Sequence, residues 1–178
     1  MQSVIALGTF DGMHLGHRTV ISRAVEKARQ MNAKAMVYTF SSIPRALFAD
    51  APKMLMTAEE RKKEMLKMGV SEVVMVDFTK EIAEMSPEAF VRMLYNAYHP
   101  CAIVAGEDYS FGYRAQGNME HLKKYAEEMG FEVITVETVR VKMSDGSFGS
   151  KISSTDIRKA LEDENILLAE RLSKGEIL

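Results

Sequence analysis

The sequence predicts an α/β fold: a doubly wound parallel sheet, followed by a hairpin and two terminal helices. Short, continuously apolar segments alternate along the chain with longer segments of helical periodicity. Continuous apolarity is typical of parallel strands that are covered by helices on both faces. The chain has 178 residues, of which 47% are hydrophobic and 27% charged, an ordinary globular composition. We therefore expect a single domain over residues 1–178.

Strands and helices alternate from the first residues onward. The first predicted strand, Ser3–Leu7, ends at Gly8, and the helix after it spans Arg18–Met31. The other predicted strands are Ala35–Phe40, Glu72–Val76, Ala102–Ala105 and Glu132–Val136. The other predicted helices are Ala58–Met68 with Thr57 and Glu60 as a capping box, Ser86–Tyr98 with Pro87 in its first turn, and Asn118–Met129 ended by Gly130. Ligands of such folds bind beyond the carboxyl ends of strands, so the loops after Leu7, Phe40 and Ala105 are candidate site loops.

The last part of the chain differs in pattern. Two extended segments, Val139–Ser144 and Ser147–Ile152, flank Asp145-Gly146, a dipeptide that favours a hairpin turn. Two short helices are predicted after them, Thr155–Glu162 and Ile166–Leu172.

Charge and composition exclude several classes of protein. A net charge of −2 gives no global basic field that would collect nucleic acid. No apolar run approaches the roughly 20 residues that a membrane span needs, and the N-terminus lacks the pattern of a signal peptide. The single cysteine, Cys101, cannot form an internal disulfide or a thiolate zinc site. We expect a cytoplasmic protein with small-molecule substrates and no nucleic-acid or membrane partner.

The loop after the first strand has the composition of a phosphate site. It contains three glycines and two histidines, in the order Gly8-Thr9-Phe10-Asp11-Gly12-Met13-His14-Leu15-Gly16-His17. Glycines let a backbone approach a ligand closely, and the N-terminus of the following helix offers free N–H groups and partial positive charge. His14 and His17, three residues apart, face the same side and can bond phosphate oxygens, more strongly if protonated. The alternatives are a tight turn with two surface histidines, or a zinc pair without further ligands nearby.

A second candidate phosphate site opens the first C-terminal helix. Its sequence is Lys151-Ile152-Ser153-Ser154-Thr155-Asp156-Ile157-Arg158, which places three hydroxyls and an arginine at a helix start. The alternative is structural: Ser153 with Asp156 resembles a capping box, and Arg158 has Glu162 four residues on. Taken with the histidine loop, two phosphate sites on one sheet indicate a nucleoside triphosphate.

Four motifs in this order resemble the nucleotidyltransferases related to class I aminoacyl-tRNA synthetases, which have a Rossmann-like fold. The finer resemblance is to the FMN adenylyltransferase module of bacterial bifunctional riboflavin kinase/FAD synthetases. It runs from Ser3 to about Leu172. The residues that carry it are Gly8-x-Phe10-Asp11-Gly12-x-His14-x-Gly16-His17, Thr39-Phe40-x-x-x-Pro44, Gly106-Glu107-Asp108-Tyr109-x-Phe111-Gly112 and Ile152-Ser153-Ser154-Thr155. One departure is Asp156, which stands where many members carry a basic residue.

The resemblance implies a role for each matched residue. His14, His17 and Arg158 would be catalytic and would stabilise charge on the phosphates of ATP. The implied ATP-binding residues are Gly8, Thr9, Phe10, Asp11, Gly12, Gly16, Ser153, Ser154 and Thr155. The implied flavin-binding residues are Phe40, Pro44, Phe48, Asp108 and Phe111. Mg²⁺ would accompany ATP, with Asp11 as a candidate ligand.

The implied reaction is the transfer of the adenylyl group of ATP to FMN, giving FAD and pyrophosphate. The sequence ends at Leu178, about where a riboflavin kinase module would begin, so we expect no riboflavin kinase activity. Two alternatives stay open. One is an adenylyl or cytidylyl transferase for another phosphorylated acceptor, and the other is a flavin- or nucleotide-binding regulator without catalysis.

Overall fold

A five-stranded, all-parallel sheet forms the centre of the protein. The computed structural model describes residues 2–42, 54–142 and 148–174. The strands are β1 (Ser3–Leu7), β2 (Lys34–Phe40), β3 (Glu72–Val76), β4 (Pro100–Gly106) and β5 (Glu132–Val136). They are arranged in the order β3-β2-β1-β4-β5, and each neighbouring pair is parallel. The predicted doubly wound α/β sheet is therefore confirmed.

The helices agree closely with those predicted. They are α1 (Leu15–Gln30), α2 (Ala58–Lys67), α3 (Lys80–Ala83), α4 (Pro87–Tyr98), α5 (Met119–Met129), α6 (Ser154–Glu162) and α7 (Ile166–Lys174). An antiparallel hairpin, β6 (Arg140–Lys142) with β7 (Phe148–Lys151), precedes α6. Its predicted turn at Asp145-Gly146 lies outside the described residues. The largest boundary difference is at α1, which begins three residues before the predicted Arg18. The one-turn helix α3 and a 3₁₀ turn at Tyr113–Ala115 were not predicted.

Side-chain caps explain where most helices begin. Thr57 and Glu60 form the predicted capping box of α2: the Thr57 side chain accepts from the Glu60 N–H, and the Glu60 carboxylate accepts from the Thr57 N–H at 2.8 Å. Ser86, Asn118 and Ser153 cap α4, α5 and α6 in the same position. A cap of this kind is worth about 1 kcal/mol, because it satisfies N–H groups that the helix leaves unpaired.

Helices cover both faces of the sheet, and β1 lies in the middle with all five residues buried. One apolar cluster joins α1 and Met65 of α2 to one face, and a second joins α4 and α5 to the other. A third, smaller cluster lies between α6 and α7, and Leu15 and Leu55 pack against it. The terminal helices are thereby held next to the loop that follows β1.

The order of the strands defines where a ligand should bind. From β1 the chain moves outward through β2 to β3, and then returns to β4 on the other side of β1. The carboxyl ends of β1 and β4 therefore diverge at a topological switch point, the usual ligand crevice of an open α/β sheet. The histidine loop follows β1, and Glu107 and Asp108 follow β4.

Within these three stretches of chain, none of the helices has the combination of length and apolar character that crossing a membrane requires.

Candidate active site

The histidine loop is held in an unusual backbone conformation by burial. Phe10 and Met13 both have positive φ, 53° and 44°, although neither is glycine. Their side chains are 1% and 2% exposed, in the apolar cluster on the α1 face. A left-handed backbone at such residues costs on the order of 1 kcal/mol each, so packing of the two side chains has to maintain it. The loop is thus fixed in shape before any ligand arrives.

His14 and His17 form one unit at the start of α1. His14 is the residue immediately before the helix, and the two imidazole rings stack with their centroids 3.5 Å apart. The Nδ1 atoms of both rings are buried, and neither finds a hydrogen-bond partner in the described part of the chain. Because buried polar atoms are almost always paired, two adjacent unpaired ones mark this part of the chain as a candidate site.

Both histidines are neutral at neutral pH in the free protein. Burial lowers the pKa of His14 from 6.5 to about 4, and the positive charge of Lys151 acts in the same direction. Burial also lowers the pKa of His17 well below 6.5, with further contributions from His14, Lys151 and Arg61. Each neutral ring carries one N–H, so the pair offers directed donors instead of two positive charges.

The N-terminus of α1 is open to an anion. The His14 side chain makes no capping hydrogen bond, and the first turn contains no acidic residue. The first N–H groups of a helix have no partner within the helix and concentrate about half a positive charge. Gly16 lies in this turn, and a Cβ there would stand 3.3 Å from two atoms of the His14 ring. Glycine at position 16 therefore lets the ring lie against the helix start.

The second motif meets the first at Asp11. The Ser154 hydroxyl donates to the backbone carbonyl of Asp11 at 2.7 Å, and the Arg158 guanidinium contacts the Asp11 carboxylate. These partners are more than 140 residues apart in sequence, so only the fold brings them together. Ser153 caps α6, accepting from the Asp156 N–H and donating to its carboxylate at 2.6 Å. Ser153 is therefore the N-cap of α6 and its contact with ATP stays a prediction, whereas Ser154 and Arg158 lie at the histidine loop.

Asp11 has donors on its carboxylate from two directions. Besides Arg158, the backbone N–H groups of Leu55 and Met56 donate to Oδ1 at 2.9 and 3.4 Å. The side chain is 3% exposed. Asp11 therefore joins three parts of the chain: the histidine loop, the segment before α2, and α6.

The other predicted ATP-binding residues surround this junction. A Cβ at Gly8 would approach the Phe10 ring to 2.8 Å, so Gly8 makes room for that ring. Gly12 has φ +77°, and a Cβ there would lie 2.7 Å from Leu55. The Phe10 side chain is in the core, which leaves its backbone for any contact with a ligand. Thr155 is exposed in the first turn of α6.

The predicted flavin residues fall into three groups. Phe40 ends β2, where its ring packs edge-to-face with Phe78 at 4.9 Å. Asp108 is largely exposed after β4 and contacts Lys151. The Phe111 side chain is only 6% exposed and packs against the rings of Phe90 and Tyr109, so it is mainly a core residue. Pro44 and Phe48 lie outside the described residues. Contact of this set with a flavin stays a prediction.

Two residues at the site were given no role from the sequence. Arg61 of α2 is completely buried and donates to the carbonyls of Thr9, Phe40 and Ser41. Lys151 ends β7 and lowers the pKa of both histidines. The signal for Arg61 was available: with Met65, four residues later, it forms the buried stripe of α2. A charge in such a stripe needs buried partners.

Comparison with known proteins identifies the family. Residues 1–156 match the FAD synthetase family. The chain is 38% identical over 175 residues to a bifunctional riboflavin kinase/FMN adenylyltransferase of Listeria monocytogenes, covering 97% of this chain and 54% of that protein. It is 33% identical over 172 residues to the protein of the same name from Escherichia coli K12, covering 95% and 53%.

A solved structure agrees with the sequence matches. The crystal structure of a Streptococcus pneumoniae protein described as a macrolide-efflux protein superposes with a TM-score of 0.82 and 32% identity, covering 96% of this chain and 54% of that one. The chain thus spans about half the length of these three proteins. The match over residues 1–156 includes the histidine loop, the aspartate loop after β4 and the serine motif up to Asp156. The chain therefore belongs to the FAD synthetase family.

Proposed function

We propose that this chain catalyses the reaction of ATP with FMN to give FAD and pyrophosphate. One observation carries the proposal within the FAD synthetase family: two stacked histidines lie at an uncapped helix start, and their buried Nδ1 atoms find no partner among the described residues. Arg158 and Ser154 reach the same loop from α6. Because membranes retain phosphorylated metabolites such as ATP and FMN, a cytoplasmic location follows from the proposal.

The chemistry is an in-line displacement at the α-phosphorus of ATP. A terminal phosphate oxygen of FMN forms the new bond to the α-phosphorus, while the bond from that phosphorus to the oxygen bridging it to the β-phosphorus breaks. The electron pair of the broken bond leaves with pyrophosphate. The attacking oxygen is already anionic, so the protein needs no strong general base. Its task is to position two polyanions and to stabilise the charge that develops between them.

The site residues fit that task. The neutral rings of His14 and His17 and the first N–H groups of α1 donate to phosphate oxygens. Negative phosphates favour the imidazolium form, so bound ATP raises the pKa of both histidines toward the neutral range. Arg158 and Thr155 approach from α6, where they bind the phosphates from the opposite side.

Mg²⁺ accompanies the triphosphate in this proposal. Within residues 2–42, 54–142 and 148–174, no three or more histidine, cysteine, aspartate or glutamate side chains are grouped as a metal site. The carboxylate of Asp11, a candidate ligand, accepts from Leu55 and Met56 and contacts Arg158. Phosphate oxygens and water, the ligands that Mg²⁺ prefers in nucleotide sites, would therefore hold the ion.

The first test is formation of FAD by the purified chain with ATP, Mg²⁺ and FMN, measured by chromatography together with pyrophosphate release. The wild-type chain should release one pyrophosphate per FAD. His14→Ala and His17→Ala should each lower kcat/KM about 100-fold or more, as is usual when a transition-state donor is removed. His121→Ala, an exposed histidine on α5, is the matched control and should leave the rate unchanged.

Other outcomes identify the alternatives. Saturable FMN binding without FAD would favour a non-catalytic regulator. Pyrophosphate release with another phosphorylated acceptor, but not with FMN, would favour a different nucleotidyltransferase. FAD formation within a few-fold of the wild-type rate by His14→Ala would contradict the mechanism.

A further inference from the structure

Arg61 is the largest fully buried side chain that the structure describes, and it is charged. Its Nη1 donates to the Thr9 carbonyl at 2.7 Å, and its Nη2 donates to the carbonyls of Phe40 and Ser41 at 2.9 and 2.8 Å. Its Nε is buried without a partner among the described residues. Burial lowers the pKa of the guanidinium, which the nearby Asp11 carboxylate opposes. An apolar side chain of similar volume would fill this space but would take these donors away from the three carbonyls, so packing alone does not account for an arginine.

The three carbonyls belong to the two loops that form the proposed site. Thr9 lies in the histidine loop, whereas Phe40, a predicted flavin residue, is the last residue of β2 and Ser41 follows it. The Thr9 carbonyl also accepts from the Thr39 hydroxyl at 3.1 Å, which adds a second link between the same two strands. Arg61 itself is on α2, a third element. One guanidinium therefore fixes the carboxyl end of β1 relative to that of β2.

Fixing a carbonyl also fixes the N–H of the same peptide unit. The peptide bond is planar and trans, so its C=O and N–H point in opposite directions. Because the Thr9 carbonyl points at Arg61, the Phe10 N–H points away from it, and the Ser41 carbonyl orients the Ser42 N–H in the same manner. Three partial negative charges are thus paired with a buried cation, which reduces their repulsion of a polyanion bound nearby.

We propose that Arg61 is a positioning residue for adenylyl transfer, which holds the histidine loop and the end of β2 in register by binding the carbonyls of Thr9, Phe40 and Ser41. The inference rests on the proposed function. The Arg61 guanidinium is buried among carbonyls, so Arg61 would affect the binding of both substrates through the backbone that it holds.

Two variants test the proposal, with a matched control. Arg61→Met replaces the buried charge with an apolar chain of comparable length, and Arg61→Lys keeps the charge but cannot bridge both loops. Arg92→Met on α4 removes an exposed arginine that pairs with Glu88. For each variant, thermal unfolding, kcat, and KM for ATP and for FMN are measured. For both folded Arg61 variants, kcat/KM should fall at least tenfold with each substrate, and the fall should be smaller for Arg61→Lys than for Arg61→Met. Arg92→Met should keep the wild-type values.

The outcomes separate this inference from the proposed function. If the wild-type chain makes no FAD, the proposed reaction fails, and the effect of Arg61 is then measured by calorimetric binding of ATP and of FMN. A purely structural role predicts that activity falls only with the folded fraction and that both KM values stay constant. A folded Arg61→Met or Arg61→Lys with kcat and both KM values within twofold of wild type overturns the inference. If Arg61→Met does not fold, Arg61→Lys decides. An effect confined to one substrate also overturns the linking role.

Discussion

At the scale of single residues, His14 and Gly16 depend on each other. The His14 ring stands 3.3 Å from where a Cβ at position 16 would be, which is closer than most such contacts in proteins. The ring is 6% exposed and stacks on His17, so it has little freedom to move aside. Glycine is thus favoured at position 16 because a side chain there would crowd the His14 ring. Close approach by a phosphate would be a second reason for glycine.

Gly16→Ala should lower activity with only a small change in stability. Alanine favours a helix over glycine by up to about 1 kcal/mol, which offsets part of the strain of moving the His14 ring. Its methyl group displaces the His14 ring by a few tenths of an ångström, and misplacement of a catalytic group on this scale costs about tenfold or more in rate. FAD formation and thermal unfolding, measured on the same preparation, check the prediction.

Gly130→Ala is the matched control for that substitution. Gly130 ends α5 with φ +81°, and a Cβ there would meet nothing within 4 Å. Alanine in this left-handed conformation should cost about 1 kcal/mol of stability and leave kcat unchanged. If Gly16→Ala instead keeps wild-type activity, the steric account of the histidine motif is wrong.

At the scale of elements, Asp11 connects α6 to the loop after β1. The Ser154 hydroxyl donates to its carbonyl, and Arg158, only 15% exposed, contacts its carboxylate. The small apolar cluster between α6 and α7 also includes contacts with Leu15 and Leu55. The position of α6 at the site therefore depends on one polar junction and on one patch of apolar packing.

Asp11→Asn should weaken this junction. The substitution keeps the size of the side chain but removes the charge that Arg158 contacts, and breaking a buried pair on one side costs up to 3–5 kcal/mol, less here because Arg158 is not fully buried. We expect a lower Tm and a raised KM for ATP. Glu88→Gln, which breaks an exposed pair with Arg92, should change the free energy of unfolding by no more than about 1 kcal/mol. Equal effects of the two substitutions would contradict the assigned role of Asp11.

At the scale of the whole molecule, the two neutral histidines make stability depend on pH. Their pKa values are depressed in the folded state, to about 4 for His14, against 6.5 in the unfolded chain. As the pH falls below 6.5, His14 and His17 bind protons in the unfolded chain but stay unprotonated in the folded protein. The stabilisation is therefore complete above pH 6.5 and is lost progressively down to about pH 4, at no more than about 1.4 kcal/mol per pH unit for each histidine.

Urea unfolding between pH 7.5 and 4.5 checks this dependence. The wild-type free energy of unfolding should fall with pH over this range, and the double variant His14→Gln with His17→Gln should fall less steeply. His121→Gln, on the exposed face of α5, should keep the wild-type slope. Parallel slopes for the wild type and the double variant would show that the two imidazoles titrate normally in the folded state.

Most of the sheet could be predicted, because its signals are local. Strands β1, β3 and β5 have the bounds predicted for them, since each is a short apolar run between turn or helix signals. The start of α1 was predicted three residues late. His14 is not a capping residue and Gly16 is a poor helix former, so the usual signals of a helix start are missing there. Under the proposed function, the uncapped helix start leaves its N–H groups free for a phosphate.

The site residues were predicted less completely than the fold. The motifs predicted the histidine loop and the serine motif as phosphate sites, and the structure brings the two motifs together at Asp11. The role of Arg61 was not predicted, because its partner Thr9 is 52 residues away and the bonds run to backbone carbonyls, which carry no sequence signature. The Phe111 ring was predicted to contact the flavin, but it belongs mainly to the core. The sequence of a loop has no regular periodicity, so it does not reveal which aromatic ring becomes buried.

The sequence by itself determined the α/β class, the order of its elements and which motifs are predicted to bind phosphate, since these depend on local periodicity, capping and composition. Only the tertiary structure decided the charge state of His14 and His17, the contacts of Asp11 with Ser154 and Arg158 of α6, and the burial of Arg61 between two loops. These properties depend on burial and on distances between groups far apart in the chain. Desolvation and Coulomb interactions act through space, so they exist only once the fold has assembled them.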